Sequence, residues 1–221
     1  MLILKTFAAG ETMANIEAYA QEIRGREADE VLKNSTMHEE DTLIQQYQQT
    51  CGLAMVQVAS SEYDPRYAWE MHKLGDVHAV NPDGPIAKQQ VEWLHKYGGE
   101  ESPRGVEGGK EIGILGPLND MMGVFVHCTY TCESTPDVDA ALSAIAGQVK
   151  AGFPAPIRVA FAGDIGHFML VQAVQGERYR VYDPYYGKVH WMTSAEFKSG
   201  DLVPENGNKA YLTHWYRSAP K

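Results

Sequence analysis

Four residue types recur in an order that suits thiol chemistry: Gln45, Cys51-Gly52, Gly166-His167-Phe168 and Asp183-Pro184. Cys51 opens an apolar run, and a cysteine at the amino end of a helix feels a dipole that favours thiolate over thiol. Gly52 would let a substrate carbonyl come close to the backbone N–H groups, and Gln45 stands a short way upstream, where its amide can turn back to donate to an oxyanion. His167, preceded by glycine at the start of an apolar strand, is the type of base that takes a thiol proton. Asp183 lies one hairpin further on, which sets its carboxylate beside the imidazole to fix the tautomer. Taken singly, each residue has a plain alternative: Cys51 a buried apolar thiol, Gln45 a solvated amide, His167 an edge histidine, Asp183 a turn residue. The case for chemistry is that all four occur together, in this order.

The elements that must position them divide the chain. Residues 11–34 read as an amphipathic helix, so 1–40 form a helical arm and 41–221 the catalytic domain. Leu43–Ala59 suggests a buried helix, with Val56 and Val58 leaving a strand open. Residues 66–97 read as helical, with Pro85 placed to start a turn of helix, and 97–110 as an exposed glycine-rich loop without phosphate-cradle spacing. Met122–Tyr130 reads as a strand. A helix follows from a Thr135 cap to Gly152. After it come strands at Ile157–Ala162, His167–Val174, Tyr179–Asp183, Lys188–Met192 and Ala210–Tyr216, joined by hairpin turns. The expectation is an α+β fold, helical half first and antiparallel sheet second.

Composition narrows the partners. The chain has 221 residues, with 19 Lys+Arg against 29 Asp+Glu and a formal charge of −10. That balance argues against nucleic acid. No run approaches the roughly 20 apolar residues of a membrane span, and the start of the chain lacks a secretory h-region. The reading is synthesis in the cytoplasm and, if the protein leaves its cell, carriage by a specialised system. Three cysteines are an odd count that suits a reducing compartment. His127, Cys128 and Cys132 offer metal-binding atoms but no fourth ligand, so structural thiols are expected, with no metal and no cofactor. Asp76, His78, His95 and His190 read as surface or packing residues, and Tyr185-Tyr186 as a binding rim or a cover for the sheet end.

These motifs resemble the papain-like cysteine peptidases, most of all the bacterial C39-like branch related to double-glycine leader peptidases, across about residues 43–200. In that branch an aspartate often precedes the cysteine, where Thr50 stands here. The CGLA start is also similar to phytochelatin synthase, whose cysteine-rich tail this chain lacks. The resemblance implies a papain-like fold with Cys51 as nucleophile, His167 as general base, Asp183 as its orienting partner and Gln45 as oxyanion donor. It implies a peptidase acting on a peptide or protein, of the free-standing kind found among bacterial effectors and toxins, for which a secretion chaperone or immunity protein is a natural partner. The same triad suits a glutamine deamidase or transglutaminase, and a non-catalytic peptide-binding module is the rival outside enzymology.

Overall fold

The computed structural model describes residues 43–45, 50–63, 67, 71, 81, 83–93, 96–97, 112–125, 128–163 and 165–220. The arm at 1–40, the loop at 98–110, and Asp76, His78, His95 and His127 lie outside the described residues.

Helix α1 spans Cys51–Ser61 and is buried at every position, as expected of a helix apolar on all sides. This settles Val56 and Val58 as helical. Its polar residues are satisfied internally: the Ser60 and Ser61 hydroxyls donate to the carbonyls of Val56 and Gln57. Gln57 exchanges amide hydrogen bonds with Gln89 and Gln90 at 2.7 and 2.8 Å. Those partners belong to α2 (Pro85–Trp93), which starts at the proline.

Helix α3 covers Ile112–Phe125 and corrects the strand expected from Met122. Ile114, Leu118 and Met122 are fully buried at helical spacing, so period 3.6 prevails over the local β-propensity of the Val-Phe-Val stretch. Strand β1 begins only at Cys128 and runs to Ser134. Helix α4, Val138–Lys150, is capped by Asp137 rather than Thr135: the Asp137 carboxylate accepts from the N–H groups of Asp139 and Ala140. Thr135 is held elsewhere, its N–H donating to the Thr213 carbonyl. Gly152, at φ 90°, follows the helix end.

Strands β2 (Ala155–Phe161), β3 (Gly166–Gln175), β4 (Arg178–Asp183) and β5 (Lys188–Thr193) form a meander. Helix α5, Ser194–Ser199, opens with a Thr193/Glu196 capping box and is followed by β6, Ala210–Pro220. The sheet has six strands in the order β1-β6-β2-β3-β4-β5, and every neighbouring pair is antiparallel. The fold is therefore α+β.

The sheet is a shared wall between two cores. Phe168 and Leu170 of β3 pack with α1 and α3, while Met169 and Val171 pack with α4 and α5, the alternation a strand imposes. Gly52 also has a packing role. A Cβ there would lie 2.5 Å from the Ile114 side chain and 3.1 Å from the Phe168 ring, so the missing side chain serves helix–sheet packing. Gly52→Ala is expected to lower stability by about 1–3 kcal/mol through overpacking, read as a drop in the urea midpoint at unchanged slope.

Candidate active site

Cys51 is the first residue of α1 and is 9% exposed. Three groups address its sulfur: the His167 ring, the Phe168 N–H and the Gly52 N–H. Burial alone would push the thiol up, but the His167 hydrogen bond and charge, with the two backbone donors, bring it below its ordinary value of 9.0. The position at the helix terminus acts in the same direction.

His167 enters near the start of β3, opposite Val159 of β2. Its Nε2 lies 2.8 Å from Asp183 Oδ1, which leaves Nδ1 for the sulfur. Burial opposes a charged ring here. The Asp183 hydrogen bond, then the Cys51 hydrogen bond and charge, overcome it and carry the imidazole up to about 10. Both shifts act in the direction of a thiolate–imidazolium pair.

Asp183 closes β4 and is fully buried. Leu170 pairs with Tyr182, so Asp183 falls diagonally across from His167, within side-chain reach. The Tyr185 N–H donates to the same Oδ1 at 2.9 Å, an Asx turn that fixes the carboxylate. The rings of Phe161 and Tyr185 lie 6.5 Å from the imidazole on separate contacts, Tyr185 edge-on, and Tyr185 also packs against Tyr186.

Gln45 is buried, and its backbone N–H donates to the Pro184 carbonyl at 2.8 Å. The Tyr182 hydroxyl donates to the Leu43 carbonyl. The stretch 43–45 is thereby set against the turn that follows Asp183. The structure brings Cys51, His167 and Asp183 into contact and ties the Gln45 backbone to the turn after Asp183. Sequence reasoning named all four. It missed Tyr182, Phe161 and the Phe168 N–H. Tyr182 carried one local signal, its place next to Asp183 on a strand, but its partner is remote in sequence.

The weaker constellations stay apart from this site. Cys128 is buried and Cys132 half-buried against the α1–α3 core, both as thiols. Among the described residues no group of three or more His, Cys, Asp or Glu is placed to hold a metal ion. His190 pairs with Glu205 at 2.5 Å on β5. No helix among the described residues is long and apolar enough to cross a membrane.

No family model and no curated protein matches the chain. Solved structures do resemble it. A double-glycine-motif protease from an AMS/PCAT transporter, crystallised with its leader peptide, is 12% identical with a TM-score of 0.42, covering 84% of this chain and 97% of that one. The Pseudomonas avirulence protein AvrPphB is 11% identical with a TM-score of 0.37, covering 77% and 91%. A C39-like peptidase from Bacillus anthracis is 15% identical with a TM-score of 0.39, covering 82% and 96%. The likeness is one of layout, helices packed on an antiparallel sheet.

The ion pair has a signature in stability. His167 is raised, so its contribution is complete below 6.5 and lost as pH rises through about 10. Cys51 is lowered, so its contribution is complete above 9.0 and lost as pH falls through its depressed value. Between 6.5 and 9.0 the unfolded pair holds one proton, on Cys51, and above the depressed titration of Cys51 the folded pair also holds one, on His167, so there the proton count is equal and the contribution flat. Subtracting urea-derived stabilities of a Cys51→Ala/His167→Ala double variant from those of the wild type should give this plateau. On each side it should fall by up to about 1.4 kcal/mol per pH unit. A difference that stays level beyond both edges would show that the proton has not moved from sulfur to imidazole.

Proposed function

We propose that the chain is a papain-like cysteine hydrolase that cleaves amide bonds in a peptide or protein. The observation that carries this reading is one imidazole bonded to a buried carboxylate at 2.8 Å and hydrogen-bonded to the first-turn thiol of α1. In this mechanism the Cys51 thiolate attacks the substrate carbonyl carbon. The negative charge moving onto the carbonyl oxygen is taken by the Cys51 N–H, an N-terminal helix donor with no intrahelical partner, and by the Gln45 side-chain amide. His167 then gives its proton to the departing amine as the C–N bond breaks, leaving a thioester on Cys51. The neutral imidazole takes a proton from water, the hydroxide attacks the thioester, and the acid leaves with the thiolate restored. Asp183 holds the ring in register and stabilises its charged form throughout.

Residues 41–221 form the catalytic unit in this proposal. Action inside a target cell, as an effector delivered by a specialised system, belongs to it too and is supported by thiols that suit a reducing compartment.

With an unfolded protein such as reduced casein as substrate, mass spectrometry should show chain breaks. The unit mass gain of a glutamine-to-glutamate conversion without breaks would instead assign the triad to deamidation. Cys51→Ala should lose about 10⁴-fold or more in turnover, and full retention would end the proposal. Gln45→Ala should lose about 100-fold in kcat, the usual effect of one oxyanion donor, with the thiol still alkylated at the wild-type rate.

A further inference from the structure

Three consecutive residues at the end of β4 reach three parts of the site. The Tyr182 hydroxyl donates to the Leu43 carbonyl, Asp183 receives His167, and the Pro184 carbonyl receives the Gln45 N–H. Leu43 and Gln45 bracket Ile44 in a stretch that has neither helix nor strand of its own. Main chain without a ladder takes its geometry from external hydrogen bonds, and here two of them come from the same strand end, two residues apart on each side. The Tyr182 ring is fully buried in the core shared with Phe168 and Tyr216, so its hydroxyl is a fixed point. Leu43 is buried as well, and its carbonyl would be costly to leave unsatisfied.

From this two-point clamp we infer that Tyr182 is a positioning residue for the oxyanion side of the site, holding the backbone from which the Gln45 amide projects. The inference rests on the cysteine-hydrolase reading and adds a device to it. One three-residue stretch aligns both the base and the oxyanion donor, so the two catalytic functions share a single rigid reference. An amide displaced by about 1 Å loses most of its effect on a developing oxyanion.

Two reagents separate the roles. p-Nitrophenyl acetate acylates Cys51 through an oxyanion, forming the S–C bond and releasing p-nitrophenolate. Iodoacetamide alkylates the same sulfur by displacement of iodide, with no oxyanion. In Tyr182→Phe, acylation should fall about tenfold, while alkylation and its pH profile stay at wild-type values. In a Gln45→Ala background, Tyr182→Phe should cost nothing further. Equal losses with both reagents, an undiminished extra loss on Gln45→Ala, or unchanged acylation would each overturn the inference. Cys51 acylated no faster than a simple thiol in the wild type would instead overturn the hydrolase reading beneath it. Independently of any variant, the Gln45 amide of the wild-type protein should exchange with deuterium as slowly as sheet amides such as Val171, and exchange at coil rates would refute the clamp.

Discussion

An imidazole wedged between a carboxylate and a sulfur, with little water in reach, sets the terms for the rest of the molecule. Cys51 and His167 are each more than nine-tenths buried, and burial acts against the charged form of both. Neither charge is stable there alone. The thiolate is held by His167 and the Phe168 and Gly52 N–H groups, and the imidazolium by Asp183 and Cys51, so the three side chains stand or fall together. With Asp183 as carboxylate the cluster carries one net negative charge, and neutral donors receive it: the N–H groups of Gly52, Phe168 and Tyr185, and the amino end of α1. This is why the sulfur sits at a helix terminus rather than mid-helix. Donors at that point are oriented before any ligand arrives.

The geometry demanded by such a cluster explains the layered plan. A thiolate–imidazolium contact must be held to fractions of an ångström, which loops alone hold poorly. Here the thiol comes from a helix with no exposed face, and the ring and carboxylate come from adjacent interior strands of a six-stranded sheet. Packing on both faces of β3 stiffens the strand that bears His167. Gly52 lets α1 settle against Ile114 and Phe168 at a distance that any side chain would forbid.

What could be read from the sequence follows from how local each determinant is. Cys51 at a helix start, His167 at a strand start and Asp183 one hairpin later are short-range patterns, and the strands from β2 to β5 are joined by tight turns that announce themselves. The same locality accounts for the misreadings. The stretch from Met122 looks strand-like in isolation, and only the helical spacing of Met122 with Ile114 and Leu118 in the core shared with α1 marks it as helix. Asp137 is the cap because the helix begins at Val138, so its extended backbone, not that of Thr135, stands directly before the first turn. The insertion of β6 between β1 and β2 and the bond from Tyr182 to Leu43 are contacts between distant parts of the chain, and a single sequence carries no pattern for them.

The far end of α1 carries the opposite electrostatic problem, and its solution bears on the site. Glu62 follows the last residue of the helix, where an anion would meet the negative end of the dipole. Burial pushes its carboxyl up to about 8, against the lowering effects of the Gln172 hydrogen bond and the Arg180 charge. Near neutral pH the protonated form is therefore favoured. Gln172 of β3 donates to it at 2.6 Å, and Arg180 of β4 donates to Gln172 at 3.0 Å. The strands that carry His167 and Asp183 thus also grip the opposite end of the helix that carries Cys51. Pinned at both ends to the same two strands, α1 holds an anion where its dipole favours one and a neutral acid where it does not. The separation between sulfur and imidazole is then fixed by two rigid elements tied at two points, not by the loop that precedes the cysteine.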